Sequence, residues 1–239
     1  MRFRQEEILL PVFIYKRVIQ PYNKAKGVIE MRIVKQTGKD YCFPFIAYIP
    51  DHVSSHPALL LQLHGAGERG DHPEDLDLVL VHGFSKVVND ENLGDCILVM
   101  PQCPTNSFWV AKIESLRKFI DYIIADYSID PSRIYLCGLS MGGYGTWYTA
   151  MAYPDLFAAI APCCGGGMAW NAGVLTMPVW AFHGADDTVV SPYQTREMAN
   201  ALQGQNPHFR CTIYDGVGHD SWNKAFSEDL LRWFFSHRK

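Results

Sequence analysis

The stretch Ile134-Tyr-Leu-Cys-Gly-Leu-Ser-Met-Gly-Gly143 joins a short apolar run to a longer segment of helical character. The apolar run ends at Gly138, and Ser140 stands between two glycines in the spacing G-x-S-x-G. A serine at the apex of a sharp strand-to-helix turn lies in strained backbone, and the residues two positions away must lack a Cβ atom to avoid collision. Such a turn lifts the hydroxyl clear of the sheet, beside the N–H groups of a helix N-terminus. The pattern therefore predicts a strand, a tight turn and a helix, with the Ser140 hydroxyl at the apex.

An ordinary helix N-cap is the structural alternative for Ser140. Serine is a favoured N-cap residue because its side-chain oxygen accepts a hydrogen bond from the first helical turn. A cap of this kind does not need glycine on both sides, whereas Ser140 has Gly138 before it and Gly142 after it. The glycine spacing favours a reactive serine over a capping one.

The composition is that of a globular chain with a large core. Hydrophobic residues make up 48% of the 239 residues and charged residues 19%, which fits one α/β domain over residues 1–239. The net charge of −4 and the lack of a dense Lys/Arg cluster argue against nucleic-acid binding. The seven cysteines are odd in number and scattered without a C-x-x-C pair, which favours free thiols in a reducing compartment.

The sequence also argues against a membrane partner. No apolar stretch approaches the length of about 20 residues that spans a bilayer. Acidic residues precede the apolar run at residues 8–14, and no small-residue cleavage site follows it, which is not the pattern of a signal peptide. We therefore expect a cytoplasmic protein.

Alternation of strands and helices predicts the fold class. Segments rich in Val, Ile, Tyr and Phe at 8–17, 27–34 and 41–49 indicate antiparallel strands near the N-terminus. Beyond Pro50, short continuous apolar runs, typical of strands buried on both faces, alternate with helical segments and predict a mostly parallel, doubly wound sheet. The predicted strands are 58–63, 96–100, 134–137, 157–161, 178–182 and 209–214, and the predicted helices are 74–88, 113–124, 140–153, 193–202 and a last one containing 226–234.

Four loops at the carboxyl ends of these strands carry residues suited to acyl transfer. In open α/β sheets such loops lie at one edge, where ligands bind. A serine hydroxyl needs a base within hydrogen-bond reach, the base needs an acid that fixes its tautomer, and the oxyanion needs backbone donors. The loops contain His64-Gly-Ala-Gly67, Gly138-Leu-Ser-Met-Gly142, Ala185-Asp-Asp187 and Gly218-His-Asp220. Their chain order of Ser, Asp and His is the order found in the α/β-hydrolase fold.

These motifs resemble those of the α/β-hydrolase superfamily from about Leu59 to the C-terminus. The pair Leu63-His-Gly-Ala-Gly-Glu-Arg-Gly70 and Gly138-Leu-Ser-Met-Gly-Gly-Tyr-Gly145 is more specific than either motif alone. His183-Gly-Ala-Asp-Asp-Thr-Val-Val190 looks like the element H-G-x-x-D-x-x-V, and Gly218-His219 matches the terminal histidine motif. Within the superfamily the chain is similar to the small lidless carboxylesterases, which include dienelactone-hydrolase-like, phospholipase/carboxylesterase and feruloyl-esterase-like enzymes.

The resemblance implies a role for each motif residue. Ser140 is the expected nucleophile, His219 the general base and then acid, and Asp187 the residue that orients the imidazole, with Asp186 as the competing carboxylate. The expected oxyanion hole consists of the N–H groups of Met141 and Ala66, with Gly67 as the alternative to Ala66. His64 and His183 are expected to support their loops, and hydrogen bonds or an ion pair of Glu68 and Arg69 are expected to hold the first loop. No metal and no organic cofactor are expected.

The expected substrate is a small-molecule or saccharide-linked carboxylic ester. Four aromatic residues stand on loops that border the predicted cleft and are candidate substrate contacts, with ordinary packing as the alternative: Trp109, Tyr144, Trp170 and Trp222. The loop 163–177 is too short for a helical cap domain, so we expect an open site that admits acylated saccharides or hydroxycinnamoyl esters.

Other reactions and roles fit the same motifs. The same triad could cleave thioesters, lysophospholipids or peptide bonds, because the pockets around it set the choice. A non-catalytic binding protein on this scaffold would have no chemical reason to keep Ser140, Asp187 and His219. Cys163 and Cys164, next to the predicted site, are expected to be small buried residues, with reactive thiols as the alternative.

Overall fold

Nine strands form a single sheet in the computed structural model, which describes residues 18–20, 31–38 and 41–239. The predicted strand over 8–17 and the first part of the one over 27–34 lie outside the described residues. The spatial order is β1-β2-β3-β5-β4-β6-β7-β8-β9. The strands are β1 (Val18–Gln20), β2 (Arg32–Gln36), β3 (Phe45–Ile49), β4 (Ala58–Leu63), β5 (Cys96–Pro101), β6 (Ile134–Leu139), β7 (Ala159–Cys163), β8 (Val179–Gly184) and β9 (Phe209–Tyr214).

The sheet is antiparallel at its N-terminal edge and parallel elsewhere. Strands β1, β2 and β3 pair antiparallel in sequence, and β3 pairs antiparallel with β5. From β5 through β4, β6, β7 and β8 to β9 every pairing is parallel. The predicted α/β class, with a mostly parallel sheet and antiparallel N-terminal strands, is confirmed.

Helices cover both faces of the sheet, as β4 shows. Neighbouring residues of a strand point to opposite faces, so Leu59 and Leu61 pack in one buried cluster and Leu60 in another. The first cluster includes Phe119 and Trp147 from two helices, and the second includes residues of the last helix. The helices are α1 (Asp90–Leu93), α2 (Ile113–Asp126), α3 (Met141–Ala152), α4 (Tyr193–Leu202), α5 (Trp222–Ala225) and α6 (Glu228–Phe235). Among the described residues, no helix has the length and apolarity that a membrane crossing requires.

The predicted helix over 74–88 is wrong in detail. Two separate 3-10 segments, Pro73–Leu80 and Gly83–Lys86, stand in its place. The break lies at Gly83, where φ is +85° and a Cβ atom would lie 2.3 Å from the Gln62 side-chain oxygen. The Gln62 oxygen also accepts a hydrogen bond from the Phe84 N–H at 2.6 Å. The buried glutamine of β4 thus fixes a turn that interrupts the helical pattern.

Strand β7 begins and ends two residues later than predicted, and Pro162 does not end it. The strand runs over Ala159–Cys163, and Pro162 pairs with Gly138 of β6. On its other side β7 pairs with β8 at Ile160 and Cys163, not at Pro162. The proline therefore occupies a gap in that pairing, where its missing N–H removes no bond from the ladder.

The carboxyl ends of the central strands meet at one edge of the sheet. Leu63 at the end of β4 pairs with Gly138 of β6, and Leu139 pairs with Cys163 at the end of β7. Further along, Cys163 pairs with Phe182 of β8, which ends beside β9. The loops after β4, β6, β8 and β9 therefore leave the sheet along the same edge. Between β7 and β8 the chain forms a 3-10 turn, Ala169–Val174, and no cap domain, as predicted.

Candidate active site

Ser140 occupies the strained turn between β6 and α3 that the glycine spacing predicts. Its backbone has φ 53° and ψ −115°, a region that residues with a Cβ atom rarely adopt. A Cβ atom on Gly138 would lie 2.2 Å from the Gly142 carbonyl oxygen, and one on Gly142 would lie 2.0 Å from the Leu63 carbonyl oxygen. The Ser140 side chain makes no capping hydrogen bond with its helix. Its hydroxyl is therefore directed away from the helix backbone and toward the loops.

The imidazole of His219 lies between Ser140 and Asp187. Its Nε2 atom is 2.9 Å from Ser140 Oγ, and its Nδ1 atom is 2.7 Å from Asp187 Oδ2. An ionised carboxylate only accepts hydrogen bonds, so the ring carries its proton on Nδ1 and presents the Nε2 lone pair to the serine hydroxyl. This tautomer can take a proton from Ser140.

Asp187 is held as an ionised carboxylate by several donors. Its Oδ1 atom accepts hydrogen bonds from the N–H groups of Val189 and Val190, both at 2.9 Å. Burial of this side chain acts to raise the pKa of Asp187, but the hydrogen bonds from His219 and from the two N–H groups outweigh it and lower the pKa below its usual range. Its neighbour Asp186 is exposed, so the structure places Asp187, not Asp186, against His219.

A second imidazole, from His183, also contacts Asp187. Its Nε2 atom lies 3.1 Å from Asp187 Oδ2 and 2.9 Å from the Val190 carbonyl oxygen. Burial lowers the pKa of His183, and a neutral ring that faces two acceptors through Nε2 carries its proton there. The Thr195 hydroxyl lies 2.7 Å from the opposite nitrogen. His183 therefore supports the acid loop, as the family resemblance implies.

Two residues that begin helical turns have backbone N–H groups near Ser140. Met141 is the first residue of α3, and Ala66 is the first residue of the 3-10 turn Ala66–Glu68. The N–H of the first residue has no acceptor within its own helix. A Cβ atom on Gly65, the residue before Ala66, would lie 3.7 Å from Ser140 Cβ, so the two turns are close neighbours. Their N–H groups are suited to binding an anion.

His64 supports the loop that carries Ala66. Its Nδ1 donates to the Gly65 carbonyl at 2.6 Å, and its Nε2 accepts from the Cys103 N–H at 2.9 Å. Burial lowers the pKa of His64 to about 4, which keeps the ring neutral at pH 7. Both ring nitrogens are thus engaged in holding the backbone. Arg69 adds bonds from its guanidinium to the carbonyl groups of Ala66, Thr105 and Ser107.

The expectation that Trp109 forms a wall of the cleft is wrong. Trp109 is 0% exposed, and its indole N–H donates to the His64 carbonyl at 3.0 Å. It therefore supports the loop that carries Ala66 from inside the protein. Its neighbour Phe108 is 53% exposed instead. The sequence contains the Phe-Trp pair, but it does not show which ring the 3-10 turn Trp109–Ala111 directs inward.

Phe108 and the predicted Tyr144 line an apolar pocket next to the nucleophile. The pocket has a volume of about 220 Å³, and Met141, the residue after Ser140, forms part of its wall. The sequence analysis did not assign Phe108, Val110 or Tyr148 to the site. The spacing of four residues between Tyr144 and Tyr148 places both on one face of α3 and could have indicated Tyr148. The lining residues are Phe108, Val110, Met141, Tyr144 and Tyr148.

The two other predicted aromatic contacts differ in burial. Trp222 is 8% exposed, and its ring meets the His219 ring edge-on at 5.2 Å between centroids. Trp170 lies on the 3-10 turn Ala169–Val174 and is 84% exposed. Trp222 thus borders the His219 ring, whereas a substrate contact by Trp170 stays a prediction.

Cys163 and Cys164 are both buried beneath the His219 loop. The Cys164 thiol lies 3.0 Å from the His219 carbonyl oxygen and 2.7 Å from the Ser221 hydroxyl. Burial raises the pKa of the Cys163 thiol well above its usual value, which disfavours a reactive thiolate. Within the described part of the chain, Cys164, Asp187 and His219 are the one group whose potential metal-ligand atoms lie within 4.8 Å of one another. Hydrogen bonds already engage all three residues.

The family model for phospholipases and carboxylesterases matches residues 106–231, which is more than half of the chain. The chain belongs to the phospholipase/carboxylesterase family. This family has the α/β-hydrolase fold, and its name denotes hydrolases of ester bonds. The match includes Ser140, Asp187 and His219.

Individual relatives of this phospholipase/carboxylesterase family member are esterases and a depolymerase. The structure of a thermostable esterase has a TM-score of 0.73 and 28% identity, and the match covers 93% of this chain and 63% of that one. Feruloyl esterase B of Neurospora crassa is 27% identical over 214 residues, which are 78% of this chain and 67% of that enzyme. Poly(3-hydroxyalkanoate) depolymerase C of Paucimonas lemoignei is 48% identical over 52 residues, which are 22% of this chain. The match spans only 13% of the depolymerase.

Proposed function

We propose that this protein is a serine hydrolase that cleaves carboxylic esters through an acyl-enzyme. The observation that carries the proposal is the continuous hydrogen-bonded chain from Ser140 Oγ through the His219 ring to Asp187. Family membership supports the ester bond as the target. The arrangement joins a nucleophile to a base, and that base to a buried carboxylate, which is what activation of a serine hydroxyl requires.

Acylation follows from this geometry. Ser140 Oγ attacks the ester carbonyl carbon while His219 Nε2 takes the hydroxyl proton, and Asp187 stabilises the resulting imidazolium. The N–H groups of Met141 and Ala66 receive the oxyanion of the tetrahedral intermediate. The C–O bond to the alcohol then breaks, and His219 returns the proton to the leaving oxygen.

Deacylation repeats these reaction steps with water as the nucleophile. His219 takes a proton from a water molecule that attacks the acyl carbon, and it then protonates Ser140 Oγ as the acid departs. The proposed steps use groups of the chain and water alone. Both half-reactions depend on the same tautomer of His219, which the hydrogen bond to Asp187 selects.

The apolar pocket at Phe108 and Tyr144 is proposed to hold the acyl group. A cavity of about 150 Å³ lined by apolar side chains can hold benzene, so about 220 Å³ is enough for an aromatic ring and a short linker. The relative named feruloyl esterase B supports an aromatic acyl group. We therefore propose hydroxycinnamoyl esters, including saccharide-linked ones, as substrates.

A fluorophosphonate probe tests the nucleophile. We expect the probe to label the wild-type protein and to leave Ser140→Ala unlabelled. Asp187→Asn should lower kcat on a p-nitrophenyl ester by about 10⁴-fold, because it loses the tautomer control that the carboxylate provides. Asp186→Asn is the matched control, and we expect nearly wild-type turnover. Equal labelling of wild type and Ser140→Ala would exclude the proposed mechanism.

A substrate panel tests the acyl group and the bond that is cleaved. Hydroxycinnamoyl esters should give higher kcat/KM values than acetyl esters of the same alcohol, and Tyr144→Ala should reduce that preference. Matched thioesters, lysophospholipids and anilides complete the panel. Faster cleavage of a thioester or an anilide than of the matched ester would assign the triad to that bond instead.

A further inference from the structure

Glu68 is a buried carboxylate that the proposed mechanism does not use. It ends the 3-10 turn Ala66–Glu68, and only 9% of the residue is exposed. A Cβ atom on Gly65 would lie 3.0 Å from Glu68 Oε2 and 3.7 Å from Ser140 Cβ. The Glu68 carboxylate and the Ser140 side chain therefore both lie close to Gly65. Glu68 Oε2 has no hydrogen-bond partner among the described residues.

The neighbours of Glu68 do not satisfy it. His64 Nδ1 is 4.0 Å away and already donates to the Gly65 carbonyl. Arg69 uses its guanidinium for hydrogen bonds to the backbone carbonyl groups of Ala66 and Thr105. His82 Nε2 is 3.9 Å from Glu68 Oε1, which is too far for a hydrogen bond. No donor in the described part of the chain therefore satisfies Glu68 Oε2.

An unpaired donor also lies next to His82. The ring of Trp222 is 5.3 Å from the His82 ring, and its indole N–H is buried without a hydrogen-bond partner in the described part of the chain. His82 itself is partly open to solvent, with 34% of its side chain exposed. His82 therefore adjoins both an unpaired acceptor, Glu68, and an unpaired donor, Trp222, and the Trp222 ring in turn contacts His219.

Leaving both groups unpaired lowers the stability of the folded chain. A buried polar group without a partner keeps the full cost of its lost hydration, and a charged group costs more than a neutral one. Such groups are explained when a ligand supplies the missing hydrogen bonds. Hydroxyl groups suit these two partners, because a hydroxyl can donate to a carboxylate and can accept from an indole N–H.

We propose that Glu68, His82 and Trp222 form a subsite that binds a hydroxyl group of the leaving alcohol. The subsite is separate from the apolar pocket, with which it shares no residue. The apolar pocket is proposed to hold the acyl group, so the alcohol is assigned to the polar side. Rotation about the last torsion of Glu68, which is broad in carboxylate side chains, brings either oxygen to the hydroxyl. The proposal rests on the proposed ester hydrolysis and adds the residues that bind a polyol or sugar alcohol.

Two esters with the same acyl group test this subsite: 2,3-dihydroxypropyl butyrate and propyl butyrate. We expect wild-type protein to prefer the dihydroxypropyl ester in kcat/KM. Glu68→Gln should reduce the ratio of the two kcat/KM values by about tenfold to a hundredfold, as for loss of a hydrogen bond to a charged group. Trp222→Phe, which keeps the ring and loses the N–H, should also reduce the ratio. Glu74→Gln changes an exposed carboxylate nearby and is the matched control.

Thermal unfolding separates this role from a structural one. Replacing an unpaired buried carboxylate by a neutral amide should leave the Tm of Glu68→Gln equal to that of wild type or raise it. An equal loss of kcat/KM on both esters together with a lower Tm would assign Glu68 to the structure of the loop and overturn the proposal. An unchanged ratio in a protein that the fluorophosphonate probe labels would overturn the subsite alone. No labelling of wild type would instead reject the proposed hydrolase.

Discussion

Ser140 combines a reactive position with an unfavourable backbone conformation. At φ 53° and ψ −115° its Cβ atom crowds the neighbouring backbone, and such a conformation costs about 1–3 kcal/mol. Gly138 and Gly142 pack so closely against neighbouring backbone that the turn is held in this conformation. The position therefore holds the hydroxyl where His219 can reach it, at the expense of the folded state.

Replacing Ser140 by glycine should stabilise the protein, because glycine adopts positive φ without a Cβ penalty. We expect Ser140→Gly to have a free energy of unfolding about 1 kcal/mol higher than Ser140→Ala, after the greater entropy of glycine in the unfolded chain is included. Urea denaturation at pH 7 measures the difference. Ser140→Ala is the control because it also lacks the hydroxyl but keeps the Cβ atom. Equal stability of the two variants would show that the turn is unstrained.

The main elements of the fold follow from apolar patterns, and the exceptions follow from single side chains. Continuous apolar runs predict β4, β5 and β6, because strands buried on both faces have no polar periodicity. The interruption at Gly83 depends on a contact with the side chain of Gln62, which lies in β4. The sequence of residues 74–88 alone cannot reveal a contact with a residue outside that segment. Likewise the sequence places Ser140, Asp187 and His219 on one edge, but the distances between them depend on the assembled sheet.

The turn at Gly83 gives a test of that contact. Gly83 and Gly204 have nearly the same φ, +85° and +80°, but a Cβ atom on Gly83 would lie 2.3 Å from Gln62 Oε1, whereas nothing lies within 4 Å at Gly204. Gly204→Ala should cost about 1 kcal/mol from backbone strain alone. Gly83→Ala should cost about 1–3 kcal/mol more, because it adds an overpacking clash in the core. Chemical denaturation of both variants measures the difference, and equal losses would mean that Gln62 moves aside freely.

At the scale of the whole molecule, buried neutral histidine links stability to pH. His64 has a folded-state pKa of about 4, mainly because burial disfavours the charged ring, against a usual value of 6.5. Between these two values the unfolded chain binds a proton that the folded chain does not, so stability falls as the pH falls. At 1.36 kcal/mol for each pKa unit, the loss from pH 7 to pH 4 is about 3 kcal/mol. The lowered pKa of His183 acts in the same direction.

Denaturation curves at pH 7, 6, 5 and 4 measure this loss. His64→Gln should be less stable than wild type at pH 7, because it changes the hydrogen bonds to Gly65 and Cys103. Its stability should depend less on pH over the same interval, since the titrating ring is gone. His208→Gln, at an exposed histidine, is the control and should keep the wild-type dependence. Parallel curves for wild type and His64→Gln would contradict the assignment.

The separation of the site residues along the chain bears on when the protein becomes active as it folds. Ser140 and His219 are 79 residues apart, and β7 and β8 lie between β6, which precedes Ser140, and β9, which precedes the His219 loop. Contacts between distant parts of a chain form late, because closing long loops costs entropy before the contacts repay it. A partly folded or growing chain therefore carries the serine without its base. Esterase activity should be among the last properties to return on refolding, after secondary structure is complete.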